Sequence, residues 1–407
     1  MWFLPKRRIY MDYASAPPVR REAIAAMRKA ERLVGNPGAI HAEAVAAKKR
    51  LEEAREVIAK ELACKAREVI FTSGLTEANN LAIIGHAKAL ERIRRTLAGT
   101  HWIVSAIEHP SVLECFAEVE RLGGTVEHLK PDAKGMFSES VLAQELRHGT
   151  VFVSIGWGNH EIGTVQPLSA LSRVIREHEK KNGTTILFHT DAGQAPLYRA
   201  PQVHTLGVDL FSIGSNKMYG PHGSGALYMS NRAQIAPIIL GGSQERGLRA
   251  GTENVALAAG FAAALARAGQ ERVSEAVRLM DLRDDLWRRV RDQISGVVIN
   301  GGQSAGGGSS SGGKNALPHL LNISISDIDS EYIVLALDRA GIAISTKSAC
   351  NEGESMSHVV RAISSDEWRA KNTLRFSLGR ETSTKDIYRA AFALATAVKL
   401  FREKRMV

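Results

Sequence analysis

The 407 residues carry 53 Lys and Arg against 43 Asp and Glu, a net charge of +10, with 44% apolar and 24% charged residues. This is the composition of an ordinary globular chain long enough for two domains, and with no apolar run near the ~20 residues of a membrane span it excludes an integral helical membrane protein. Three scattered cysteines, Cys64, Cys115 and Cys350, argue against a disulfide framework and against a zinc-ligand cluster, so no metal site is expected.

The N-terminal stretch "MWFLPKRRIYMDY" lacks the apolar core and small-residue cleavage site of a signal peptide, which predicts a cytoplasmic location. Residues 66–230 then alternate short β-branched runs with longer helical patterns. "REVIFTSG", "HWIVSA", "TVEHL", "TVFVSIG", "TILFHTDA", "VDLFSIGS" and "GALYMS" predict seven strands of an α/β, largely parallel sheet. A Pro-free helical pattern from Thr252 to Asp292 follows and bridges to a smaller α+β region. There "GVVIN", "HLLNISIS", "GIAIS" and "TLRFSLG" predict strands, and "DSEYIVLALDRA" and "DIYRAAFALATAVKLFREK" predict helices. Residues 301–315, "GGQSAGGGSSSGGKN", are a Gly/Ser tract that cannot bury apolar surface; without a following GK[ST] they do not form a phosphate loop. The expected division is a large domain over 14–258 and a small domain made of 1–13 and 259–407. Basic clusters such as "KKRLEEAR" and "LWRRVRD" alternate with acids along helical faces and read as solvated surface, with no nucleic-acid motif beside them.

The chemistry concentrates where open α/β sheets bind ligands, at the carboxyl ends of the strands. "FTSGLTEANN" ends a strand and opens a helix, so backbone N–H groups around Gly74 and the hydroxyls of Ser73 and Thr76 can hold an anion, phosphate being the natural candidate. "FHTDAGQ" leaves Asp191 and Gln194 after a strand, and "SIGSNKMYGPHGSG" leaves Lys217 after the next, in a turn bounded by Gly and Pro. A phosphate cradle, a strand-end carboxylate and a strand-end lysine together suit pyridoxal 5'-phosphate, which needs an amine partner and an acid for its ring nitrogen. Cys350 stands apart: "KSACNEGESMSH" surrounds it with loop-forming residues, whereas Cys64 and Cys115 lie in helical patterns and read as buried thiols.

The ordered series "YMDYASAPPV", "GNPGAIH", "IFTSGLTEANNLAI", "EHPSVLE", "NHEIGTVQP", "HTDAGQA", "KMYGPHGSGALY", "GGSQERGLRAGTENV", "SAC" and "LRFSLGR" resembles the cysteine desulfurases of the class V aminotransferase superfamily, nearly end to end. The resemblance implies an aspartate-aminotransferase-like large domain and conversion of L-cysteine to L-alanine. It implies that Lys217 carries the cofactor, Asp191 pairs with the ring nitrogen, Gln194 bonds the ring hydroxyl and His109 stacks on the ring and moves protons. Ser73, Gly74, Thr76, Ser215 and Asn216 fall on the cofactor side, Arg375 and Asn36 on the substrate side, and His160 on both. Thr252 resembles the threonine that reaches the partner subunit's cofactor, which implies a homodimer.

By the same resemblance Cys350 takes the sulfur as a persulfide, and its segment is of the long-loop kind that hands sulfur to separate carriers or iron–sulfur scaffolds for cluster assembly or tRNA thiolation. A reactive thiol on such a segment would be able to reach an acceptor. Several positions depart from the common pattern: His160 follows Asn159 where a second asparagine is usual, Asn216 precedes the lysine where a histidine is common, and "YASAPPV" and "NPGAIH" differ from the usual segments. The given sequence ends with "KLFREKRMV", so scaffold docking through the C-terminal extension of some relatives is not expected. Other readings are a selenocysteine lyase or another class V lyase or aminotransferase, which would not depend on Cys350 in the same way, and a non-catalytic interaction platform.

Overall fold

The computed structural model describes residues 7–302, 315–346 and 356–405. Cys350 and most of the Gly/Ser tract lie outside the described residues. All seven strands expected over 66–230 form and assemble into one sheet. After a short N-terminal strand β1 (Ile9–Tyr10) they are β2 (Val69–Thr72), β3 (His101–Ser105), β4 (Thr125–Leu129), β5 (Thr150–Ser154), β6 (Leu187–Asp191), β7 (Leu210–Gly214) and β8 (Gly225–Met229), in the spatial order β2-β8-β7-β6-β5-β3-β4. Every pairing is parallel except those of β8, which runs antiparallel to both neighbours. Strands β3, β5 and β7 are buried along their whole length, as expected of a sheet covered on both faces.

Because alternate side chains of a strand point to opposite faces, the sheet divides the core in two. Trp102, Val104, Phe152, Leu187 and Leu210 belong to one apolar cluster, shared with the helices Leu75–Arg94 and Pro110–Arg121. Ile103, Val153, Phe188, Phe211 and Ile213 belong to the other, which continues into the C-terminal part of the chain.

The expected long helix runs Val255–Gln293, capped by Asn254, whose side chain accepts from Leu257 N. Its 39 residues, ~58 Å at 1.5 Å per residue, pack on the helices Arg21–Ala30 and Ala42–Leu62 and on the C-terminal helix Thr384–Arg405. Strands β9 (Val297–Ile299), β10 (Leu320–Ile325), β11 (Ile342–Ala343) and β12 (Thr373–Ser377) complete the set. β10 lies between β12 and β9 in an antiparallel three-stranded sheet, while β1 pairs in parallel with β11. This last pairing was not legible from the local sequence. It matters because it feeds the segment after β1, Met11 to Ala16, to the carboxyl ends of the central strands. Cys115 is buried in a helix as expected; Cys64 is half-buried and lies just past the helix ending at Leu62.

Candidate active site

Strand ends build the site. β6 stops at Asp191, β7 at Gly214, and a single turn of 3-10 helix, Ser215–Met218, then lifts Lys217 above the sheet edge, with Tyr219 in the left-handed region closing the turn. β2 ends at Thr72, and the helix from Leu75 starts after Gly74. β8 begins at Gly225 opposite both Thr72 and Gly214. A Cβ at Gly225 would lie 2.7–2.9 Å from the backbone of Gly74, so only glycine lets the two chain turns approach this closely.

The result is a cavity of about 370 Å³ lined by, among others, Thr76, His109, His160, Asp191, Gln194, Asn216, Lys217 and Arg375. Eight of the residues singled out from the sequence therefore converge. Ser73 and Gly74 sit at the adjoining helix start, where Ser73 N donates to Glu77 Oε2 at 2.8 Å. Ser215 is fully buried under the lysine turn, and its hydroxyl has no hydrogen-bond partner among the described residues. Asn36 and Thr252 do not line the cavity; both are exposed, and Asn36 Oδ1 accepts from Gly38 N at 2.9 Å.

The charged groups are held by partners from distant parts of the chain. Lys217 Nζ donates to the carbonyls of Ala14 and Ser15, each at 2.7 Å, and Gln194 Nε2 donates to Ala14 O at 3.0 Å. Asp191 Oδ2 accepts from Asn79 Nδ2 at 2.7 Å and Oδ1 from Gly193 N at 2.8 Å. Asn79 also donates to Ser111 Oγ at 2.9 Å, which ties the carboxylate to the helix that follows His109. Arg375, in mid-β12 and 2% exposed, donates to Asp12 Oδ1 at 2.8 Å, to Ser15 Oγ at 2.7 Å and to the carbonyl of His160 at 3.0 Å. Its Nε is buried and has no hydrogen-bond partner among the described residues.

His109 is the N-cap of the helix Pro110–Arg121: Ser111 N donates to its Nδ1 at 3.1 Å, and Ser111 Oγ lies 2.9 Å from the same nitrogen. A ring that accepts at Nδ1 carries its neutral-state proton at Nε2. Burial, reinforced by the positive charge His160 can carry and by Lys217 and His358, pushes the imidazole down to about 4, against the pull of Asp191. At neutral pH His109 is therefore uncharged, with an N–H at Nε2.

His160 is near it, the two ring centroids 5.4 Å apart and edge to face. Glu108, wholly buried, accepts from Gly156 N at 2.7 Å; burial, with the charge of Asp191, raises its carboxyl to about 8. The preceding Asn159 has a different task from binding: its Oδ1 accepts from Glu161 N and Ile162 N, each at 2.9 Å, and Nδ2 donates to Ile107 O at 2.9 Å, so the side chain shapes a turn.

Sequence reasoning missed Asn79, Ser111, Asp12, Ser15, Glu108 and Glu161. Asn79 had one usable signal, its place one turn into the helix that starts at the expected anion site. The partners Asp12 and Ser15 had none, because they meet Arg375 across about 360 residues of chain.

A family model described as aminotransferase class-V matches residues 9–389. The chain belongs to that family. A cysteine desulfurase IscS of Dictyoglomus turgidum is 41% identical over 384 residues, covering 94% of this chain and 92% of that one. Another, from Archaeoglobus fulgidus, is 36% identical and covers 97% of each. Among solved structures, a NifS-like protein matches with a TM-score of 0.85 at 29% identity, covering 97% of this chain and all of the other. SspA in complex with cysteine matches with a TM-score of 0.75 at 31% identity, covering 91% and 98% of the respective chains. Within the class-V family the chain is a member of the cysteine desulfurases, and it is an enzyme.

Proposed function

We propose that this enzyme uses pyridoxal 5'-phosphate to take sulfur from L-cysteine onto the Cys350 thiol, releasing L-alanine, and then passes the sulfur to a separate acceptor. The observation that carries the reading is the convergence of Lys217, Asp191, His109 and Arg375 on one cavity from four different elements, three at strand or helix ends and Arg375 in mid-β12. The residues fit the cofactor. An amine, a fixed carboxylate and a buried, unpartnered Ser215 hydroxyl close to a helix start offer what an aldehyde, a ring nitrogen and a phosphate would each use. When bound, pyridoxal phosphate supplies an electron-withdrawing ring that weakens the bonds of an amino acid joined to it.

The remaining work belongs to the protein. Asp191, held by Asn79 and Gly193, would keep the ring nitrogen protonated, while Gln194 would bond the ring hydroxyl, and Ser73, Gly74, Thr76, Ser215 and Asn216 would hold the phosphate end. Lys217 Nζ, once its amine is free, would take the α-proton. Arg375 would receive the substrate carboxylate, with its Nε–H as the donor that no group among the described residues engages. His109, neutral and with a proton at Nε2, would stack on the ring and donate. Balanced, the reaction converts L-cysteine and the Cys350 thiol into L-alanine and a Cys350 persulfide, the substrate sulfur leaving carbon for sulfur.

A homodimer completes the reading, with domains over 14–258 and over 1–13 with 259–407. Thr252 is exposed and does not line this chain's own cavity, which suits a residue that serves a partner's site. Ile40 and Leu240, 96% and 76% exposed, suit an interface. No helix among the described residues is long and apolar enough to cross a membrane; a reduced thiol at Cys350 favours the cytoplasm. The acceptor would be an iron–sulfur scaffold or a sulfur carrier.

The test is mass spectrometry of the cofactor-loaded protein after L-cysteine is added without reductant, with an alanine assay and a Cys350→Ala control. One added sulfur on Cys350 with matching alanine is the expected result. Turnover that survives in Cys350→Ala, with no persulfide in the parent protein, would point instead to another class V lyase or aminotransferase.

A further inference from the structure

Three histidines line the cavity, His109, His160 and His222, and the two that meet edge to face, His109 and His160, are not equivalent. His109 has its Nδ1 engaged by the backbone N–H of Ser111, so the only nitrogen it has free carries a hydrogen and can donate but not accept. His160 is backed by a carboxylate instead: its Nε2 lies 3.7 Å from Glu161 Oε1, an ion-pair separation. The Glu161 side chain is wholly buried, and its other oxygen accepts a 2.5 Å hydrogen bond from Ser357 Oγ, so the carboxylate is fixed from a second element, the start of the helix His358–Ile363. A buried carboxylate next to an imidazole is an arrangement that stabilises the imidazolium.

We propose that His160, supported by Glu161, is the proton acceptor of this cavity, and that His109 is its proton donor. The inference rests on the reading of the cavity as the catalytic pocket. A proton that L-cysteine gives up there, from its ammonium or its thiol, would pass to the His160 ring; the substrate N–H or S–H bond breaks, an imidazole N–H forms, and the new cation is balanced by Glu161 without any further reactant. His109 keeps the proton at Nε2.

The electrostatics agree in sign. Burial alone would raise the Glu161 carboxyl, but the neighbouring His160, the Ser357 hydroxyl and the charge of His358 outweigh it and bring the carboxyl down to about 2. Burial lowers both imidazoles. For His160 Glu161 opposes the shift, while His358 and Arg375 add to it. For His109 the charge on His160 deepens the shift, with Lys217 and His358 acting the same way and only Asp191 opposing. Of the two rings, His160 is the one with a carboxylate at ion-pair distance from its ring nitrogen to offset burial.

The order can be read without turnover, by NMR titration of the cofactor-loaded protein labelled with carbon-13 at histidine Cε1, free of L-cysteine, using His109→Gln and His160→Asn to assign the two signals. His160 is expected to titrate at higher pH than His109. In Glu161→Gln its midpoint is expected to fall by about 1–3 pH units, the loss of an adjacent opposite charge. Ser357→Ala, a second variant should Glu161→Gln not fold, is expected to raise the His160 midpoint, because the carboxylate loses a competing donor. A His109 signal that titrates first, a His160 signal that does not titrate down to pH 4.5, or a midpoint unmoved in both variants would overturn the proposal. Because no substrate is present, these outcomes are independent of the persulfide experiment: a missing persulfide would remove the desulfurase reading and leave the titration order standing.

Discussion

Lys217 is an amine whose Nζ donates to two backbone carbonyls, those of Ala14 and Ser15. So held, the amine stays in the cavity lining, where, once deprotonated, it would meet a reactive aldehyde. Lys217→Ala should abolish the cofactor's visible absorption in the purified protein and lower alanine formation by about 10²–10⁴-fold or more, the range for loss of a positioned acid–base group; wild-type absorption in the variant would remove Lys217 from its assigned role. Asp191 depends in turn on Asn79, the one side chain among the described residues that donates to it. Asn79→Ala leaves the Asp191 carboxylate short of a buried donor and separates it from Ser111, and should cost about 1.5–3 kcal/mol in urea denaturation. A loss below 0.5 kcal/mol would mean that water replaces the amide at no cost.

Elements rather than single residues decide how closely the lysine turn and the anion-binding turn approach, and β8 is the wedge between them. Gly225→Ala would drive a Cβ into the Gly74 backbone, which no rotamer can relieve. Overpacking of this kind costs about 1–3 kcal/mol, and here the strain falls on the helix start at Leu75. The expected result is weaker retention of pyridoxal phosphate, measured by equilibrium dialysis, together with the stability loss. Unchanged retention would show that the Gly74 turn does not hold the cofactor.

The elements were the most legible part of the sequence, because β-branched runs bounded by turn residues carry their own signal: all seven central strands and the helix over 255–293 lie where the patterns put them. The strand-end residues Asp191 and Lys217 were legible for the same reason. What was not legible depends on contacts between remote segments. The pairing of β1 with β11 brings Asp12, Ala14 and Ser15 to Arg375, Gln194 and Lys217, and neither two-residue strand is long enough to show a period. Glu161 and Ser357 meet across 196 positions, and the local sequence "NHEIG" says nothing of a partner so far away.

At the scale of the whole molecule, the buried titratable groups make stability depend on pH in two opposed ways. His86, His189 and His319 are buried and pushed down to about 4, 3 and 3 from 6.5, with burial as the main cause in each. Below pH 6.5 the unfolded chain binds protons that the native one refuses, so these groups, with His109, make stability rise with pH up to that point. Glu108 works the other way. Its carboxyl is raised from 4.5 to about 8, so between those values the native state holds a proton that the unfolded state has lost, and the stability this contributes is complete below about 4.5 and disappears as pH rises through about 8.

The two effects oppose each other up to about pH 7.5, because the unfolded-state histidines are still half protonated at pH 6.5, and they separate above it, where the histidines are nearly neutral in both states while Glu108 titrates through about 8. There Glu108 should make the unfolding free energy of the wild-type protein fall with pH by up to about 1 kcal/mol per unit, somewhat less than the slope for one whole proton. Glu108→Gln keeps the acceptor for Gly156 N but cannot ionise, and should flatten that slope while raising stability at pH 8 relative to wild type. Urea titrations at pH 7.5, 8.0 and 8.5, at constant protein and cofactor concentration, measure it directly. Equal slopes in the two proteins would show that Glu108 is ionised in the native state, facing Asp191 as a second anion beside the site where the cofactor's ring nitrogen would bind.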